Sequence, residues 1–377
     1  MTATRVLFVL SADFGEYVTA NLFSRGQPFI SRFAMPQRLA QYCGDAIDDV
    51  SVYQNVEDLR QIIATAAPDV VVLCSGYLFV INGLIDHTSL ARLADELRQR
   101  GIVVATTDPW LRVFALNPQA GFAIHSVRKG GVDLDASEKV MRLNRFLEEL
   151  FHGAPHLLAV PLPRREKNWL PFFNPEFTNA SGVICERQRG TEWLFVLARE
   201  DFVHLAGIER NRFFDTLRNR LDEVMSVAEN HVIFIGPADM AAFFAERASQ
   251  WPRLSFVPFC SFAAFEAAIR RASIVVYWNV LSASLLYCLY HGVPPVFFGR
   301  GHQIKVCPAL RDHVIEYVYR GQAPLMLEFG APLEAHAAVL VERHGLSQWL
   351  ADIRRDYTGM PDPASVMQEM TRQHAVR

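Results

Sequence analysis

The chain has 377 residues, 51% hydrophobic and 20% charged, with 37 basic and 40 acidic side chains and a net charge of -3. That length exceeds one ordinary core, so two domains are expected, and the apolar content excludes bulk disorder. The near-neutral balance lacks a block of Lys or Arg and excludes a dedicated nucleic-acid binder.

The chain opens on Val6 to Leu10, five apolar residues before Ser11 and Asp13. This run is too short for a secretory core, and no later one approaches the roughly 20 residues that span a bilayer. Cys43, Cys74, Cys185, Cys260, Cys288 and Cys307 are scattered and form no C-x-x-C pair. They read as reduced core thiols of a cytoplasmic protein. The apolar excess is expected at domain or subunit interfaces, and a homodimer is compatible with it.

In the first half the apolar runs predict strands at Val6 to Leu10, Val50 to Tyr53, Val70 to Cys74 and Ile102 to Thr106. Helices are predicted at Val56 to Ala66 and Leu90 to Gln99, the second ended by Gly101. Pro161, Pro163, Pro171 and Pro175 break every period from 161 to about 190, where the interdomain connection is expected. The second half predicts strands at Trp193 to Ala198, Val232 to Ile235, Leu254 to Pro258, Ile274 to Tyr277 and Pro295 to Phe298. Between them fall helices near Phe213 to Ala228, Ala238 to Ser249, Phe262 to Arg271 and Ser282 to His291. Such alternation specifies α/β architecture with parallel sheets. The expected division is 1–175, 190–345 and a helical tail, 346–377, packing back on the first domain. Ligands belong in a cleft at the strand C-termini.

One stretch carries the most chemistry: a buried strand ending at Asn279, then Ser282 and Ser284, a helix, and Gly292-Val293-Pro294 before another strand. Helix-opening N–H groups beside hydroxyls would suit an anion; Ser282 as a plain N-cap is the structural alternative. From Trp193 to Lys305 the pattern resembles the donor-binding half of GT-B glycosyltransferases. The resemblance implies two doubly wound Rossmann-like domains facing across a cleft, a nucleotide-activated sugar as co-substrate and no other cofactor. Aligned on Gly292-Val293-Pro294, the family's pyrophosphate His position holds Asn279 and its phosphate Ser position Ser284. The ribose Glu position holds Tyr287, and the family's Asp-Gln pair falls near His302-Gln303. Tyr cannot accept two hydroxyl protons as a carboxylate does.

The resulting donor set is Arg199, Gly236, Pro237, Phe259, Asn279, Ser282, Ser284, His302, Gln303 and Lys305, with Arg300 nearby. No metal is expected, since Asp133-Leu134-Asp135 follows Gly130-Gly131 rather than ending a strand, and Asp there caps helices. An acceptor hydroxyl must lose a proton, and Asp13, Glu16 and His125 are the candidate bases. Asp13 and Glu16 also suit a capping box. Ser75-Gly76-Tyr77 and Thr107-Asp108 stand at other strand ends. The expected activity is metal-independent, inverting sugar transfer to a small-molecule or peptide acceptor. Alternatives are a nucleotide-sugar epimerase of the same architecture and a catalytically silent binding protein.

Overall fold

In a computed structural model the chain is described over residues 3–11, 14–43, 47, 49–81, 83–107, 153–161, 168–177, 192–227, 231–280, 282–298, 308–332 and 343–375. It divides into two compact units, Met1–Ala180 with Asp356–Arg377, and Ser181–Arg355.

The first unit runs β1 (Arg5–Val9), α1 (Phe14–Ser24), β2 (Ile30–Met35), α2 (Gln37–Ala40), β3 (Val50–Val52), α3 (Val56–Ala66), β4 (Val70–Cys74), α4 (Gly76–Ile81), α5 (His87–Gln99), β5 (Val103–Thr107), β6 (His156–Leu158) and β7 (Trp169–Pro171). The strands form one seven-stranded sheet in the order β3-β2-β1-β4-β5-β6-β7. Its pairs are parallel, Val6 facing Ser31 on one side and Val70 on the other. Parallel strands are covered on both faces, which is why β4 is apolar and buried at every position.

Helix α3 starts where Asn55 accepts from the Glu57 and Asp58 N–H groups, and α5 where Asp86 does the same for Thr88 and Ser89. Their apolar stripes, Leu59 and Ile63 with Leu90, Leu93 and Leu97, pack over Leu7, Val9, Val71 and Leu73.

Strands β6 and β7 lie beyond the four expected from the sequence. Pro171 sits in β7, the sheet's outer strand, where a missing N–H breaks no inner ladder. The following segment is fixed by Asn174, which is fully buried: its Nδ2 donates to Arg25 O (2.8 Å) and its Oδ1 accepts from Glu176 N (3.0 Å) and Gln27 Nε2 (3.2 Å). Asn174→Ala removes three hydrogen bonds that fix this segment and should lower unfolding free energy by about 2 kcal/mol, measured by urea denaturation.

The second unit runs β8 (Glu192–Val196), α6 (Arg199–Val227), β9 (Val232–Gly236), α7 (Ala241–Ala245), β10 (Leu254–Pro258), α8 (Phe262–Arg271), β11 (Ala272–Tyr277), α9 (Leu285–His291), β12 (Pro295–Phe298), α10 (Pro308–Tyr317), β13 (Met326–Leu327) and α11 (Arg343–Thr358). The last helix, α12 (Pro363–Ala375), belongs with the first unit, as does the end of α11. There Phe173 N–H donates to Pro361 O at 2.9 Å. The six-stranded sheet has the order β10-β9-β8-β11-β12-β13, all pairs parallel. In each sheet the first strand is central, later strands are added to one side and then the other, and the order is Rossmann-like.

Aromatic rings fill this second core: Phe195, Phe234, Phe244, Trp278, Phe298 and Phe329 form a continuous buried cluster. No helix among the described residues is long and apolar enough to cross a membrane.

Candidate functional site

In a doubly wound sheet the strands diverge at one point, and ligands bind outside the carboxyl ends there. In the second unit that point lies between β8 and β11. Arg199 opens α6 just after β8, Gly236 ends β9 and Pro237 follows it, Phe259 follows β10 and Asn279 follows β11. The fold therefore puts these five predicted donor residues on one sheet edge.

The Arg199 guanidinium stands 3.9 Å from Asp239, with both side chains more than half exposed. Such a pair is weak and available to a ligand. A Cβ at Gly236 would stand 3.0 Å from the Phe234 ring and 3.5 Å from Met240 Sδ, so glycine permits the close packing of this corner. The Gly236 carbonyl accepts from Phe259 N–H at 3.2 Å, and the Phe259 ring is among the few large apolar side chains left exposed. Asn279 is 6% exposed and its carbonyl accepts from Ser282 N at 3.3 Å. Trp278 beside it is sunk among Phe195, Phe234, Phe298 and Phe329, with centroids 5.0–6.3 Å apart, and pins the turn.

Helix α9 does not open at Ser282. It starts at Leu285, and Ser284 in the flanking position has φ −63° and ψ −16° with no capping bond from its side chain. The N–H groups of Leu285, Leu286 and Tyr287 donate to the carbonyls of residues 282, 283 and 284 at 2.9–3.1 Å. Tight turns thus consume donors that the sequence reading assigned to an anion.

What remains is a line of hydroxyls. Ser282 Oγ and Ser284 Oγ are 2.8 Å apart, Ser284 Oγ donates to Tyr277 Oη at 3.3 Å, and Tyr277 Oη lies 3.4 Å from Cys288 Sγ. Burial pushes the Tyr277 phenol well above its ordinary range and the Cys288 thiol up to about 12, so both stay protonated.

Tyr287 is 1% exposed and stacks on His291 with centroids 6.1 Å apart. His291 Nε2 meets Glu266 Oε1 of α8 at 3.0 Å. Tyr287 therefore belongs to the α8–α9 packing. Past His291, Gly292 takes φ +73°, and a Cβ there would stand 2.8 Å from the Arg354 guanidinium. His302, Gln303, Lys305 and Arg300 lie outside the described residues.

In the first unit the strands diverge between β1 and β4. Glu16 is fully buried there, its carboxylate accepting from Ser11 N (2.7 Å) and Ser11 Oγ (2.9 and 3.0 Å). Tyr53 Oη donates to Leu10 O at 2.6 Å. Burial first, then the Glu16 charge, pushes the Tyr53 phenol and the Cys74 thiol upward. Asp13 and His125 lie outside the described residues.

The sequence reading left out Asp239, which the fold brings to Arg199, and did not rank Ser75, which follows β4 with φ +50°. An acidic residue just after a strand-ending Gly-Pro was the available signal for Asp239. Only backbone geometry singles out Ser75.

No family model and no curated protein matches the sequence. Solved structures do. A glycotransferase of kitacinnamycin aligns over 99% of this chain and 100% of its own, with a TM-score of 0.61 at 14% identity. The glycosyltransferase VinC in complex with dTDP aligns over 99% and 100%, with a TM-score of 0.53 at 13% identity. UDP-N-acetylglucosamine 2-epimerase from Listeria monocytogenes, so named provisionally, aligns over 100% and 97%, with a TM-score of 0.53 at 12% identity. The chain has the GT-B fold, two Rossmann-like α/β domains, as the resemblance between 193 and 305 implied.

Proposed function

We propose that the protein is a glycosyltransferase, moving a sugar from a nucleotide-activated donor held by its second unit to a small-molecule or peptide acceptor held by its first. The observation that carries this is the convergence of Arg199, Gly236, Pro237, Phe259 and Asn279 at the ligand-binding edge of a GT-B sheet, on a chain aligned end to end with such enzymes.

In this reading the exposed Phe259 ring offers a face to the nucleotide base and Gly236-Pro237 bounds it. Arg199, with Lys305 and Arg300, opposes the charge that builds on the departing diphosphate, the task a metal would otherwise perform. Ser282 and Ser284 supply hydroxyls to the phosphates, since the first-turn N–H groups of α9 are committed. His302 and Gln303 fall to the sugar. Asp13 deprotonates the acceptor, giving inversion by direct displacement.

Ser284→Ala should weaken nucleoside diphosphate binding about fivefold to tenfold, the loss of one hydrogen bond, while unfolding shifts little because Tyr277 keeps Cys288. Calorimetric titration with UDP-, GDP- and dTDP-sugars tests the reading as a whole; heat from none of them refutes it.

A second reading, sugar epimerisation, is favoured by the alignment to the 2-epimerase structure. It requires isomerised nucleotide-sugar to appear without any acceptor, and chromatography of the incubated donor decides between the two.

A further inference from the structure

Helix α9 is held at its C-terminus from two directions. From α8 comes Glu266, paired with His291 at 3.0 Å. From α11 comes Arg354, whose guanidinium donates to Tyr290 O at 3.1 Å. The two carbonyls before Tyr290 are taken by the turn itself, Cys288 O by Val293 N–H at 2.8 Å and Leu289 O by Gly292 N–H at 3.4 Å. Arg354 thus supplies, from far along the chain, a cap that the turn does not.

Gly292 fits that guanidinium. At φ +73° it makes the left-handed turn, and a Cβ there would stand 2.8 Å from Arg354 Nη1 and 3.3 Å from its Cζ. The missing side chain lets the cation lie against the backbone.

Packing alone does not call for an arginine. Helix α11 is docked without it: Leu350 and Ile353 are buried, Leu346 joins the aromatic core, and Trp349 packs on Tyr319 with centroids 5.7 Å apart. Arg354 Nε is buried with no hydrogen-bond partner, and burial lowers the guanidinium's pKa with no carboxylate opposing the shift. A leucine or methionine would avoid that desolvation cost. What the guanidinium adds is direction: its hydrogen bond fixes how α9 slides and turns about its axis, and its charge suits the helix C-terminus.

We infer that Arg354 is a positioning residue of the nucleotide site, acting through α9 on Ser284. Ser284 immediately precedes α9 and Tyr290 lies near its other end, about 9 Å along a helix short enough to move as one piece. A shift at the capped end is therefore carried to the hydroxyl. Arg354 also stands two positions before Asp356, with which the chain re-enters the first unit. The inference rests on the transferase reading, which gives Ser284 its phosphate, and adds the residue that keeps Ser284 in place.

The test is calorimetric titration of the full chain with UDP, GDP and dTDP. Arg354→Met, which keeps the apolar stem, should weaken nucleotide binding about fivefold, and Arg354→Lys, which keeps a charged donor, should recover part of the loss. In a Ser284→Ala background the same Arg354→Met change should cost less than twofold, because the hydroxyl through which it acts is gone. By reciprocity, saturating nucleotide should slow amide exchange across 346–355 in the parent and not in Arg354→Met.

Unchanged nucleotide affinity in Arg354→Met overturns the inference. So do losses that simply add in the Arg354→Met/Ser284→Ala double variant, since a purely structural role would give them. If Arg354→Met does not fold, exchange in the parent decides: no slowing across 346–355 on nucleotide binding overturns the inference. Nucleotide heat in the parent with equal affinity in Arg354→Met sinks this inference alone, whereas no heat from any of the three nucleotides sinks the transferase reading and this inference with it.

Discussion

Asp13→Asn is expected to slow sugar transfer about 100-fold or more while donor affinity stays unchanged. General-base assistance is worth about 10² to 10⁴ in rate, and an amide cannot take the proton. Of the two acidic candidates that follow β1 in the sequence, Glu16, in the first turn of α1, is the poorer base: it is fully buried and its oxygens already accept from the Ser11 N–H and hydroxyl. Glu16→Gln should therefore act mainly through stability, because a neutral amide presents an N–H where Ser11 needs an acceptor. The check is steady-state turnover with whichever acceptor supports it, alongside calorimetric donor binding. Full activity in Asp13→Asn removes that residue from the mechanism, and a loss confined to Glu16→Gln with unchanged unfolding transfers the role to Glu16.

The second large effect is on stability. Glu266→Ala should cost about 3 kcal/mol in urea unfolding, the magnitude seen when one member of a buried ionic or hydrogen-bonded pair is deleted. Glu266 and His291 are each no more than about a tenth exposed and lie 3.0 Å apart, linking α8 to the C-terminus of α9. Tyr287 stacks on the same imidazole, and Val293 N–H closes the helix on Cys288 O at 2.8 Å. Removing the carboxylate loosens the base of the helix that Ser284 immediately precedes. His291→Ala in the Glu266→Ala background should cost much less than in the parent, as the two act as a unit. A change below about 1 kcal/mol in Glu266→Ala would show the pair to be a surface-like contact.

Much of the fold was legible because parallel strands leave an unmistakable pattern. Val70 to Cys74, Leu254 to Pro258 and Pro295 to Phe298 are strands at the expected bounds. Val56 to Ala66 and Phe262 to Arg271 are helices at theirs, the latter opened by Ser261 accepting from Ala264 N. Strand β2 was missed because Ser31 and Arg32 interrupt its apolar run; only its second half is buried. Helix α6 begins at Arg199, fourteen residues before its apolar periodicity becomes clear at Phe213, since its start is set by docking after β8.

The sequence alone specified two α/β halves and the strand ends at which chemistry belongs, because hydrophobic periodicity and glycine or proline at strand ends are local properties. It could not specify how polar groups pair. That Glu16 turns to Ser11, that Ser282 and Ser284 face each other instead of capping α9, and that Ser75 Oγ is left without a side-chain partner depend on side-chain angles and on strands 30 or more residues apart in the chain meeting in register. Burial fixes which face of an element is apolar; only the packed tertiary structure decides which hydrogen bonds survive there, and so which residues remain free to meet a ligand.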